Sequence, residues 1–227
     1  MTLHTTIKAA AAAAALSFAA TTASAETLSY SAALSGPFAT VTFQAAPVSL
    51  ANNPAGAGRI VLTGASAASG LSDPLTAWCF DVTRTLVTNT SVTYNVGASF
   101  LSGDSLGRVE RVFDANYATL NLGDSQKTAA FQMAIWEAIY DDDWLLTTGS
   151  FQASTTDAQI NEFAKLFLKN AKDHGQDRVW NVIQLEAKSP TSQNLGTVSL
   201  IPIPAGALLI LSAVGLAAGV RHYGRTA

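Results

Sequence analysis

The chain has one cysteine, Cys79, in 227 residues. An internal disulfide is therefore excluded, and the thiol is bonded to another molecule, free and reactive, or buried and inert. Histidine is nearly as scarce, with only His4, His174 and His222. Two of these sit near the chain ends, so His174 is the one base open to a cysteine hydrolase, which argues against that class. Charged residues make up only 13% of the chain. Lys8, Arg221 and Arg225 lie in the end segments, leaving ten bases against 16 acids between them and a net charge of −6 for the body. An acidic body with no basic stripe argues against nucleic acid as a partner. There is no internal repeat, and no acidic spacing matches an EF-hand loop.

What is present is most distinctive at the two ends. Lys8 precedes an apolar stretch over residues 9–20 and the small-residue site Ala23-Ser24-Ala25. That order is a secretory signal peptide, residues 1–25, with Glu26 as the mature N-terminus. At the other end, Ile201-Pro202-Ile203-Pro204-Ala205 leads into an apolar run to Val220, then Arg221-His222-Tyr223-Gly224-Arg225. No charge occurs over residues 189–220. The run at 205–220 is expected to be one transmembrane helix, about 24 Å long at ~1.5 Å per residue. That is slightly short for a hydrocarbon core of ~30 Å. Arg221 and Arg225 would hold its end on the cytoplasmic side.

This three-part tail, residues 201–227, resembles the VPLPA-CTERM sorting signal, a relative of PEP-CTERM found on exported proteins of Gram-negative bacteria. Ile201 and Ile203 replace Val and Leu, and RHYGR replaces the usual arginine run. The resemblance implies recognition at the inner membrane by an exosortase, a membrane cysteine transpeptidase. The body would face the periplasm, then pass to the cell surface or polysaccharide matrix. The tail is either processed or retained as an anchor.

Residues 26–188 form a body the size of one domain, followed by a linker and last strand over 189–200. Phe38-Ala39-Thr40-Val41-Thr42-Phe43 and Val92-Thr93-Tyr94-Asn95-Val96 alternate as strands do. Between about 105 and 172 the period becomes helical. Leu106, Val109, Val112, Phe113 and Tyr117 form one set, and Phe131, Ala134, Ile135, Ala138 and Ile139 a second. Ile160, Phe163, Ala164, Phe167 and Ala171 form the third. Ser125 and Thr156 or Asp157 are expected N-caps, with Gly175 a stop. Strand signals return over 178–187 and 196–201. The expected class is α+β: a β-rich domain, sandwich- or barrel-like, with a helical insertion.

Cys79 stands in the strand-like Trp78-Cys79-Phe80-Asp81-Val82. A buried inert cysteine is one reading of it. Gln132 lies three residues before Ile135 and seven before Ile139, so its amide sits on or beside an apolar helix face. Such an amide must find partners, on strand backbone for example, or cost about 1–3 kcal/mol.

The segments Trp78-Cys79-Phe80 and Phe131-Gln132-Met133-Ala134-Ile135-Trp136 together resemble the thioester domains of bacterial surface adhesins. Those carry an aromatic-Cys pair on a strand and an aromatic-Gln-x-x-aliphatic-Trp motif on a helix, in that order. The resemblance implies an internal thioester between Cys79 and Gln132, shielded by Trp78, Phe80, Phe131 and Trp136. A thiolate is a good nucleophile at carbonyl carbon, so the residue types suit the bond.

The expected function is therefore an exported, non-enzymatic surface or matrix protein, without cofactor, that attaches covalently to an amine or hydroxyl of a partner. The alternative is a structural or exopolysaccharide-associated surface protein with no thioester chemistry. A hydrolase using Cys79 is a third reading, with His174 as its base. Asp141, Asp142 and Asp143 follow the glutamine helix and are a weak candidate for calcium beside capping or solvated roles.

Overall fold

Alternate positions of β1 (Glu26–Leu34) are buried at Leu28, Tyr30 and Ala32, while Thr27 and Ser29 face water. The same period runs through β2 (Ala39–Ala45), where Val41 and Phe43 are buried, and β6 (Ser91–Val96), where Val92 and Tyr94 are. These elements belong to a computed structural model that describes residues 26–34, 38–64, 71–175 and 177–201. The expected signal peptide lies outside the described residues, as do Pro202, Ile203, Pro204, Ala205, Arg221, Arg225 and the expected membrane helix. Ile201 is described, its N–H bonded to Val179 O at 3.0 Å. Among the described residues no helix is long and apolar enough to cross a membrane.

Six antiparallel strands close into a barrel. β1 is followed by β4 (Ile60–Thr63), β5 (Leu75–Cys79), β9 (Leu195–Leu200), β8 (Trp180–Ala187) and β6, which pairs back with β1. Between the sandwich and the barrel left open by the alternation, the chain adopts the barrel. Residues 189–194, expected as part of a linker, connect β8 to β9. β9 itself is a barrel strand, bonded to both β8 and β5. A second sheet places β2 between β3 (Ala55–Ala57) and the short β7 (Gln152–Ser154).

Helices α1 (Gly103–Asn116), α2 (Ser125–Tyr140) and α3 (Ala158–Asp173) form the insertion between β6 and β8. α1 buries Val109, Val112 and Phe113, and α3 buries Ile160, Ala164, Phe167 and Ala171, as their apolar spacing predicts. Asp124, not Ser125, caps α2: its side chain accepts from Gln126 N at 3.0 Å and Lys127 N at 3.1 Å. Asp157 caps α3 through Gln159 N at 2.9 Å. α2 departs from a one-sided amphipathic helix, because every residue over 128–138 is buried. It packs on α1 and α3 and on strands β2, β3 and β5, so no face is left for water.

Gly196 of β9 lies opposite Trp78, and the ring of Phe80 rests on it. A Cβ there would overlap that ring. Gly196→Val should lower unfolding stability by about 1–3 kcal/mol, the usual cost of overpacking a filled core. A reduced urea midpoint would register it; an unchanged midpoint would mean that the Phe80 ring swings aside freely.

Candidate functional site

Strand β4 begins at Ile60, opposite Ala77 of β5. Two residues further on, Cys79 has run past β4, and among the described residues its backbone on that side has no strand to pair with. The Gln132 side chain fills this rung. Its Oε1 accepts from Cys79 N at 2.8 Å, and its Nε2 donates to Cys79 O at 2.8 Å. Both residues are buried, Gln132 at 1% exposure and Cys79 at 4%. The expected need of a buried amide for partners is met by the backbone of the one cysteine.

Helix α2 delivers Gln132 to that position together with two residues one and two turns on. Trp136 and Tyr140, at i+4 and i+8, share its face. Tyr140 Oη accepts from Val82 N at 3.2 Å and reaches Phe80 O at 3.5 Å. The strand end from Cys79 to Val82 is thus fastened to α2 at two levels. Sequence reasoning missed Tyr140, although its i+8 spacing from Gln132 could have indicated it.

The Cys79 Sγ donates to Asp81 O at 3.3 Å. Burial pushes the thiol up to about 12, opposed by that backbone bond and by the Trp136 indole N–H, and reinforced by the Asp81 carboxylate. Burial also raises Tyr140 above the ordinary tyrosine range. His174 is not at this site: it ends α3, with Nε2 3.0 Å from Asp177 O. His174 is therefore not placed to serve Cys79 as a base.

A pocket of about 280 Å³ reaches the pair. Cys79, Gln132 and Trp136 line it together with Phe38, Ile60 and Val82 and the polar side chains of Asn52, Arg84, Thr85 and Gln193. Gln193 Nε2 donates to Arg84 O at 2.8 Å and Asn52 Nδ2 to Thr85 Oγ1 at 3.1 Å, which ties the lining segments together. Of the four aromatic residues expected around the bond, only Trp136 lines this pocket. Trp78 and Phe131 meet edge to face at 4.8 Å within the helical core, and Phe80 covers Gly196.

The acidic group beyond α2 differs from the expected triplet. Asp141 and Asp143 assemble with Glu137, not with Asp142. Asp142 instead donates its N–H to Asp141 Oδ1 at 2.8 Å. Glu137 is fully buried, and burial, aided by the Asp143 and Asp141 carboxylates, pushes it up to about 9. Burial acts to raise Asp141, but hydrogen bonds from Phe151, Asp142 and Ser150 outweigh it and hold the carboxyl below the ordinary range. The signal missed in the sequence was a glutamate inside an otherwise apolar helical run.

No protein-family model matches the chain, and no curated protein does. Among solved structures, an N-terminal thioester domain of a surface protein from Clostridium perfringens is similar at 19% identity and TM-score 0.44, over 73% of this chain and 100% of that one. The N-terminal domain of the Streptococcus pyogenes pilus tip adhesin Cpa is similar at 13% identity and TM-score 0.40, over 71% and 93%. The N-terminal thioester domain of the fibronectin-binding protein SfbI from Streptococcus pyogenes stands at 13% and 0.40, over 64% and 87%.

Proposed function

We propose that this is an exported, non-enzymatic surface or matrix protein in which Cys79 and Gln132 join in an internal thioester that attaches it covalently to a partner. The observation that carries the reading is the reciprocal pair of 2.8 Å bonds setting the Gln132 amide against the residue that bears the thiol. In the first step sulfur bonds to Gln132 Cδ and the Cδ–Nε2 bond breaks. The thiol proton leaves with that nitrogen as ammonia. The Cys79 N–H already bonded to Oε1 lies where negative charge grows during attack. In the second step a partner amine or hydroxyl bonds to Cδ, the C–S bond breaks, and the partner's proton passes to sulfur. An amide or ester remains at position 132, after one turnover and without a cofactor.

Burial supports a latent bond. A sulfur whose thiol is pushed up to about 12 leaves reluctantly until it is protonated. The pocket lined by Cys79, Gln132 and Trp136 is the approach for the incoming nucleophile. Export, anchoring at the inner membrane and handling by an exosortase-type enzyme rest on the sequence of residues 1–25 and 201–227.

The structural or exopolysaccharide-associated reading has one observation in its favour. The same two bonds satisfy the buried amide with no chemistry at all.

Intact mass separates the two. The thioester form should weigh one ammonia less than the unmodified chain, and methylamine should label residue 132 and release a titratable thiol. Cys79→Ala should abolish both effects. A full unmodified mass, with Cys79 alkylated freely in urea and no methylamine adduct, would sink the thioester and leave the structural reading.

A further inference from the structure

We propose that Glu137, Asp141 and Asp143 bind a hard divalent cation, calcium, at the C-terminal end of α2. One carboxylate oxygen from each of the three lies within 4.8 Å of the others. Ligands sharing one calcium at about 2.3–2.6 Å fall within about 5 Å of each other, so a single ion can touch all three. The donors are all hard oxygens, which suits calcium and not a thiolate- or imidazole-seeking metal.

The independent observation is Glu137 Oε2. Glu137 is 0% exposed, and among the described residues nothing donates to this oxygen, whose carboxyl faces that of Asp143. The other oxygen of the same carboxylate accepts from Leu145 N at 3.2 Å. A buried polar atom is normally satisfied, and one left without a donor calls for an explanation such as an ion. Among the described residues no lysine or arginine pairs with any of the three acids. The aspartates are held in place from the loop: Leu145 N bonds Asp143 Oδ1 at 2.8 Å, and Phe151 N bonds Asp141 Oδ2 at 2.9 Å. The hydroxyls of Thr148, 2.8 Å from Asp143, and Ser150, 3.1 Å from Asp141, add neutral oxygens at the rim. Water would complete the coordination, as is common in calcium sites.

The test is thermal unfolding of the full chain after EDTA treatment, with and without added calcium, in the wild type, Glu137→Gln and Asp143→Asn. Calcium at about ten times its Kd should raise the wild-type Tm by about 3–5 °C. Both variants should lose that shift while still showing a cooperative transition. Should Glu137→Gln fail to fold, Asp143→Asn and terbium luminescence decide. Excitation of Trp144, next to Asp143, should sensitise bound terbium in the wild type, calcium should quench the emission, and Asp143→Asn should lack it. An unmoved wild-type Tm overturns the proposal. So does a shift of equal size in the variants, or a larger shift with magnesium.

Discussion

Gln132→Ala should cost about 3–5 kcal/mol of unfolding stability, measured in a Cys79→Ala background that cannot form a thioester. The substitution removes both partners of the Cys79 backbone at once. Each buried group left unsatisfied costs about 1–3 kcal/mol, and the truncated side chain leaves a cavity as well. No strand can move in to replace it, because β4 begins at Ile60 opposite Ala77 and does not reach this rung. Cys79→Ala alone should cost only about 1 kcal/mol, since it deletes one small buried sulfur. Urea denaturation of the single and double variants gives both numbers. A double variant within 1 kcal/mol of Cys79→Ala would mean that water or a shifted backbone heals the rung, and the clamp would lose its structural role.

In the unbonded chain, alkylation of Cys79 should be about a thousandfold slower in the folded protein than in urea at any pH below 9. The unfolded thiol ionises near 9.0 and the folded one only at about 12. Each such unit is a tenfold loss of thiolate, the reacting species. The same difference sets a stability dependence of defined sign. Keeping the thiol neutral is favourable in the fold, so that contribution is intact below pH 9 and is lost as pH rises from 9 towards 12. Rates of iodoacetamide labelling in the two states check the first statement, and the alkaline limb of the unfolding midpoint checks the second. Equal rates would show that the thiol is neither shielded nor held neutral.

Local pattern carried much of the fold. Period-two alternation marked β2 and β6, and the three apolar helical sets fell on α1, α2 and α3. Barrel closure was not legible, since it depends on Glu26 finding Val96 and Leu28 finding Tyr94 across a long stretch of chain. The cap of α2 moved by one residue because Asp124 and Ser125 are both competent caps and only the backbone at 124 is extended. The site was half legible. Gln132 announced itself as a polar residue in an apolar stripe, and Cys79 by being alone. That the amide would meet the backbone of Cys79 depends on where β4 starts, which no local signal near either residue encodes. Glu137 was not legible because a glutamate in a helix is ordinarily a solvated one, and its burial follows from α2 being packed by helices and strands together.

The register of β9 has a mechanical meaning. Cys79 lies opposite Leu195, the first residue of β9, while the chain leaves the barrel after Leu200 at the far end of the same strand. A force drawn between Ile201 and a partner fixed at Gln132 would therefore run along the whole length of β9. It would load the rungs from Trp180–Leu200 to Leu185–Leu195 together, in shear, and not peel them one after another. Strands sheared in this way resist as a group. The tension would enter through α2, which carries position 132, and pass to β9 by way of β5, the strand that β9 meets at Trp78 and Cys79.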